Sequence, residues 1–210
     1  MLNIIIADDH PLIREGFKRI LQNEIDIKVQ SEASNGDELI ELVRRKRPDV
    51  VILDLTMPGR HGLDVVKELK MQYSSMPVIV VSMHPVDRFA VRAIRLGASA
   101  YLTKESAPQE LVKAIRKVVG GQRYITPTVG AQLANLIGDP DKATPHETLS
   151  TREWQVLCLI ASGRSTHDVS KELCIGVNTV NTYRARVLEK LNLKSNVDLA
   201  LYALRNNLVE

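Results

Sequence analysis

The sequence predicts two domains of different class: a five-stranded, parallel, doubly wound α/β domain over 1–120 and a small all-α domain over 149–210. Three observations carry this. Up to residue 120, short apolar runs alternate with amphipathic stretches of one-helix length, the βα rhythm of a parallel sheet. After Leu149 the strand signal stops and only helical periodicity remains. Between the two, Gly138-Asp139-Pro140-Asp141-Lys142-Ala143-Thr144-Pro145 is polar, turn-rich and aperiodic, so a linker with one short helix is expected over 121–148.

The strands are expected at 2–7, 27–33, 50–53, 77–82 and 98–102, with helices near 11–23, 36–46, 62–72, 86–96 and 108–119. Gly120-Gly121 stops the last of these, and Thr126-Pro127 reads as an N-cap with Pro at the first position of a helix to about residue 137. The all-α part shows four helical patterns, 151–162, 166–173, 177–190 and 195–205. Ser150-Thr151-Arg152-Glu153 has the form of a capping box, and Gly163, Gly176 and Ser195 punctuate the rest.

Composition excludes several classes. With 44% hydrophobic and 25% charged residues and no repeat, the chain is neither disordered nor fibrous. The longest apolar runs, Val50-Val51-Ile52-Leu53 and Val78-Ile79-Val80-Val81, are strand-sized and too short for a bilayer. Met1-Leu2-Asn3-Ile4 lacks a basic segment ahead of a long apolar one, so a cytoplasmic protein is expected. Cys158 and Cys174 lie in apolar helical patterns and are expected as buried free thiols in a reducing compartment. His61, His146 and His167 are expected at the surface. The net charge of +3 is too small to imply nucleic acid by itself.

In an open parallel sheet, ligands bind beyond the carboxyl ends of the strands near the switch point. Here those ends carry Asp8-Asp9 after the first strand, Asp54 after the third, Ser82 after the fourth and Lys104 after the fifth. An Asp after a strand is ordinarily a cap or turn residue, but polar groups at four of five strand ends make a site. Clustered carboxylates repel, and the usual remedy is a hard divalent cation such as Mg2+. One carboxylate can then attack a phosphoryl group, with Lys104 neutralising charge and the Ser82 hydroxyl donating a hydrogen bond. His10, beside the acidic pair, is expected to cap or pack rather than to bind Mg2+, which prefers oxygen.

Asp8-Asp9-His10-Pro11, Leu53-Asp54-Leu55-Thr56-Met57-Pro58-Gly59, Val81-Ser82 and Tyr101-Leu102-Thr103-Lys104 resemble the motifs of two-component receiver domains, which have a flavodoxin-like fold. The resemblance implies that Asp54 accepts a phosphoryl group from a sensor-kinase histidine. It further implies that Asp9, Asp54 and the Thr56 carbonyl coordinate Mg2+, that Asp8 holds a metal-bound water, and that Ser82 and Lys104 sense the phosphate. Tyr101 falls at the switch aromatic of the family, expected to turn inward as Ser82 moves. Two departures stand out: Glu105 follows Lys104 where many receivers have a cis-proline, and Ser82 stands where Thr is commoner. Thr56 and His84 occupy positions expected to influence phosphate hydrolysis.

In the all-α part, short helices joined at Gly163 and Cys174-Ile175-Gly176-Val177 suggest helix-turn-helix geometry. If Val177, Val180, Val187, Leu188 and Leu191 form the core stripe, then Asn178, Thr179, Asn181, Thr182, Arg184, Arg186 and Lys190 face solvent. Arg184, Arg186, Lys190 and Lys194 oppose only Glu189 over 177–194, as suits a helix in a major groove. A solvated face is the plain alternative. The order Leu149-Ser150-Thr151-Arg152-Glu153, Val156-Leu157, Ala161-Ser162-Gly163, Asn178-Thr179-Val180-Asn181-Thr182-Tyr183 and Lys190-Leu191 resembles the LuxR-type domain of NarL/FixJ regulators. Thr179-Val180-Asn181-Thr182-Tyr183-Arg184 with Gly121-Gln122-Arg123-Tyr124 is similar to the GacA/UvrY branch. The resemblance implies a non-enzymatic, sequence-specific transcription regulator. The resemblance also implies that the last helix, with Val197, Leu199, Leu201 and Ala203, supplies core packing and part of a homodimer interface on phosphorylation, so that two half-sites are expected in the DNA; ordinary core packing explains most of those apolar residues equally well. The competing classes are a Mg2+-dependent phosphatase acting on external substrates and an adaptor whose helical domain binds protein.

Overall fold

The computed structural model describes residues 1–83, 86–131, 145–206 and 208–209. The chain divides into two compact units, Met1–Ile137 and Gly138–Glu210. The first is built from β1 (Leu2–Ala7), α1 (Pro11–Gln22), β2 (Ile27–Ala33), α2 (Gly36–Lys46), β3 (Val50–Asp54), α3 (Gly62–Gln72), β4 (Val78–Ser82), α4 (Val86–Arg95), β5 (Ala100–Thr103) and α5 (Ala107–Val119). Every strand pairing is parallel and the sheet order is β2-β1-β3-β4-β5. Helices cover both faces, which is why β3 and β4 read as unbroken apolar runs and are buried throughout.

Strand alternation divides the core. Ile4, Ile6, Val50, Ile52, Ile79, Val81 and Leu102 pack with Phe17 and Leu21 of α1 and Leu111 and Ile115 of α5. The intervening Ile5, Val51, Leu53, Val78 and Val80 point the other way, the side of Leu39, Val43, Leu63, Val66, Leu69 and Phe89 from α2 to α4. The chain therefore leaves β1 toward one face and β3 toward the other. A crevice opens between the carboxyl ends of β1 and β3.

Local chemistry sets the element ends. Asn35 caps α2 by accepting from Glu38 N at 2.9 Å, and Arg47 closes it in the left-handed region at φ 43°. The fifth strand begins at Ala100, two residues later than expected, because Ala98 N donates to Ala93 O (2.9 Å) in closing the turn after α4. Beyond α5, Tyr124 N donates to Ser99 O at 2.9 Å and its ring packs on the α1/α5 side of the core under the Lys117 ammonium. Residues 121–125 thus lie along the edge of β5. Thr126 accepts from Val129 N at 3.4 Å, and residues 127–131 are helical. The remainder of the short helix expected to about 137, the 138–144 stretch and His84 lie outside the described residues.

The second unit has a 3-10 turn (Pro145–Thr148), α6 (Thr151–Ala161), α7 (Thr166–Leu173), α8 (Val177–Lys190) and α9 (Asn196–Arg205). Ser150 with Glu153 and Ser165 with Asp168 form capping boxes, and Ser195 caps α9, which therefore starts one residue later than expected. Trp154, Val156, Leu157, Val169, Val180, Val187, Leu199 and Ala203 form the core. Cys174 occupies the left-handed C-cap of α7 at φ 53°, which starts the turn into α8. That placement corrects one expectation: Cys174 is exposed because the cap lies off the apolar stripe, and Cys158, within α6, is only half-buried. His146 is corrected too. Its Nδ1 lies 2.8 Å from Tyr202 Oη, with the ring against Trp154, so this histidine seats the 3-10 turn on α6 and α9. Among the described residues, no helix is long and apolar enough to cross a membrane.

Candidate functional site

At the crevice, Asp8 follows β1, Asp54 ends β3, Ser82 ends β4 and Lys104 follows β5. Sheet order brings together side chains that are far apart in sequence. Lys104 Nζ stands 2.7 Å from Asp8 Oδ2 and 2.8 Å from Asp54 Oδ2, and both carboxylates are almost wholly buried. The second oxygen of Asp54 accepts from Thr56 N at 3.1 Å. Lys104 N donates to Ser82 O at 2.9 Å, which holds the β5 turn against β4, and Ser106 N closes that turn on Thr103 O at 3.1 Å. Tyr101 is buried beside them, with its hydroxyl in hydrogen-bond contact with the Ser82 side chain.

Burial raises the Asp54 carboxyl above its ordinary pKa; Lys104 and the Thr56 N–H oppose that shift, and the neighbouring charge of Asp8 adds to it. Burial by itself would lower the Lys104 ammonium, but hydrogen bonds and charge from Asp54 and Asp8 outweigh it and the net shift is upward. Tyr101 is pushed far up by burial, so its hydroxyl keeps its proton and stays available to Ser82. Among the described residues of the pocket, the Lys104 ammonium thus stands against the carboxylates of Asp8, Asp9 and Asp54. Asp8, Asp9, His10 and Asp54 each present a ligand atom, all within 4.8 Å of one another, and the oxygen-rich set with surplus negative charge fits a hard divalent cation.

His10 does not cap α1 with its side chain. Its backbone N donates to Asp8 Oδ1 at 2.8 Å, and its ring Nδ1 lies 2.8 Å from Asp9 Oδ1. Sequence reasoning missed Arg14, which donates to Asp8 O at 2.7 Å and to Glu32 Oε2 at 2.9 Å, tying the end of β1 to β2. No local pattern announces it. His61, expected at the surface, is buried: it caps α3 by accepting from Leu63 N at 3.1 Å and lies beside Phe89. A cap was needed there, and imidazole supplied it where Ser, Thr or Asp usually stands.

The loop after Asp54 leaves no room beneath it. A methyl on Gly62 would meet Leu55 Cα at 2.5 Å and Asp54 O at 2.8 Å. Since backbone cannot yield as a side chain does, Gly62→Ala is expected to cost about 1–3 kcal/mol and to displace Asp54. Chemical denaturation should register the loss, and an unchanged midpoint would show that the loop moves freely.

In the second unit, α8 buries Val180 and Val187 and exposes Asn178, Thr179, Asn181, Thr182 and Arg186 on its other side. Two expected members of that face are otherwise engaged. Arg184 is half-buried and its Nε donates to Asn196 Oδ1 at 2.5 Å. Lys190 Nζ donates to Glu153 Oε2 at 2.7 Å. Lys194 lies beyond the helix and is exposed. On α9, Leu199 and Ala203 are buried, while Val197 (67% exposed), Leu201 (47%) and Leu204 (50%) share a helical face open to solvent.

Comparison with known proteins agrees with this division. Residues 4–116 match the response regulator receiver domain, and residues 147–203 match the luxR family of bacterial regulatory proteins. The response regulator GacA of Pseudomonas aeruginosa is 38% identical over 211 residues, covering 100% of this chain and 99% of that one. UvrY of Escherichia coli is 37% identical over 209 residues, covering 99% and 96%. Among solved structures, RcsB of Salmonella enterica serovar Typhimurium bound to the rprA promoter with phosphomimetic BeF3− aligns at a TM-score of 0.65 and 26% identity, over 96% of this chain and 98% of that one.

Proposed function

The chain belongs to the LuxR-type (NarL/FixJ) response regulators, in the GacA/UvrY branch, and from that premise we propose that Asp54 is the phosphoacceptor controlling DNA binding by α8. The observation carrying this is the buried Asp54 carboxylate shared between Lys104 and the Thr56 N–H, at the switch point of the sheet. A carboxylate oxygen forms the O–P bond as the P–N bond of a phosphohistidine donor breaks, its electron pair leaving with the donor nitrogen. Lys104, the Thr56 N–H and the Ser82 hydroxyl take up charge on the phosphoryl oxygens. Asp9, Asp54 and the Thr56 carbonyl would hold Mg2+, with Asp8 orienting its water; the ion supplies neutralisation of the phosphoryl charge. Tyr101, bonded to Ser82, carries the change to the surface beside β5.

A sensor histidine kinase is the donor and DNA the output partner, which makes the protein cytoplasmic. Asn178, Thr179, Asn181 and Thr182 would read base edges, and Arg186 and Lys194 would meet phosphates. Val197, Leu201 and Leu204 supply the apolar face of a homodimer formed on phosphorylation, which calls for two half-sites. Selection from random DNA with protein phosphorylated by a small acyl phosphate should recover a two-half-site motif; recovery of none would favour the protein-binding adaptor. On that DNA, Arg186→Ala should weaken binding across sequences and make the salt slope shallower by about one unit. An unaltered slope would remove Arg186 from the phosphate contacts.

A further inference from the structure

Glu153 is a buried carboxylate in a domain offered to DNA, and its position explains why it is tolerated. As the third residue of α6 it accepts from Ser150 N at 2.7 Å, completing the capping box. The same oxygen accepts from Lys190 Nζ at 2.7 Å, and the Glu153 side chain is only 4% exposed. Lys190 is the last residue of α8, and its ammonium also lies 3.4 Å from Thr148 O. Withdrawing it toward a phosphate would take from the buried Glu153 carboxylate the ammonium that faces it, which is unfavourable even though the Lys190 side chain is 40% exposed. The exposed polar residues Asn178 and Thr182 sit in the N-terminal half of α8, with Lys190 about 12 Å further along the axis from Thr182. In helix-turn-helix proteins that N-terminal half meets the base edges.

We infer that Lys190 is a positioning residue rather than a phosphate contact: held on Glu153, it pins the C-terminal end of α8 to the start of α6 and sets the angle at which the face of α8 enters DNA. The inference rests on the DNA-binding function proposed above. Lys190 and Glu153 then act as one unit, although Glu153 itself touches no DNA.

The test uses the full chain, phosphorylated by acetyl phosphate, with Lys190→Met, Lys190→Arg, Glu153→Gln and the Met/Gln double variant. Gln at 153 keeps the capping box, since its amide oxygen can still accept from Ser150 N. Binding to DNA selected by the wild type is measured over a range of salt, at temperatures where the fluorescence of Trp154, the single tryptophan, reports a folded domain. Lys190→Met and Glu153→Gln should each weaken binding by about tenfold, a mid-range coupling for a contacting pair. The salt slope should stay as in the wild type, the double variant should be no worse than either single one, and Lys190→Arg should restore most of the affinity. A slope shallower by about one unit in Lys190→Met, with Glu153→Gln harmless, would make Lys190 a phosphate contact and overturn the inference. Lower stability with unchanged affinity in the folded range would overturn it as well. If the wild type selects no DNA, the DNA-binding function fails; the unfolding midpoints of the four variants still read the pin, which falls if the two single losses simply add.

Discussion

Asp54→Asn is expected to abolish phosphoryl acceptance and, at neutral pH without divalent cations, to raise the stability of the N-terminal unit. The first effect follows from chemistry: the amide has no anionic oxygen to form the acyl phosphate. Intact-mass measurement after incubation with acetyl phosphate and Mg2+ should show a single adduct in the wild type and none in the variant. An adduct that persists would move the nucleophile elsewhere, with Asp8 or Asp9 the nearest carboxylates. The second effect follows from burial, which holds the Asp54 carboxyl above its ordinary pKa. A folded state that binds the proton more tightly loses stability as pH rises from the ordinary carboxyl range through the folded value. Above that window the ionised group is a net cost, and Asn removes it. The melting temperature should therefore exceed that of the wild type at pH 7.5 in EDTA, and the gap should close as pH falls to 5. A lower melting temperature at pH 7.5 would mean that Lys104 gains more from Asp54 than burial takes away.

Lys104→Met should act in the opposite sense and with larger size. One ammonium serves both Asp8 and Asp54, and removing one member of a buried ion pair costs about 3–5 kcal/mol when the charge left behind has no escape. Here there are two escapes. Below its raised pKa the Asp54 carboxyl takes up a proton instead, so the loss should be small at pH 5 and grow toward pH 8. Lys104 itself adds no pH dependence in that range, since its raised pKa keeps it charged on both sides of the transition. The other escape is a divalent cation, which stabilises by binding the folded form alone. Adding Mg2+ at pH 8 should restore more stability to Lys104→Met than it adds to the wild type. Thermal unfolding by circular dichroism across this grid of pH and Mg2+ is the check, and equal Mg2+ gains in the two proteins would detach the ion from this pocket.

Much of this site was legible before any coordinates. The alternation of apolar runs and amphipathic stretches placed every strand and helix of the N-terminal unit to within a few residues, because each depends on neighbours one to four positions away. The same local rules placed the Ser150–Glu153 capping box and put Asp8, Asp54, Ser82 and Lys104 at strand ends. Where expectation went wrong, the capping of a helix end had overridden the side chain's usual place. His61 is buried because α3 lacked an ordinary cap, and Cys174 is exposed because α7 had to end in a left-handed turn.

The sequence by itself determined the two classes of fold and the residue types gathered at the carboxyl edge of the sheet, since periodicity and capping are written in short stretches of chain. It could not decide which charges meet. Lys104 reaches Asp54 across 50 residues, Arg14 spans 18 to Glu32, and Lys190 spans 37 to Glu153. Those partnerships depend on strand order, register and helix packing, which the whole core sets at once. For the same reason Lys190 read as one more basic residue on a DNA-facing helix until its ammonium was seen to rest on a carboxylate buried at the start of α6.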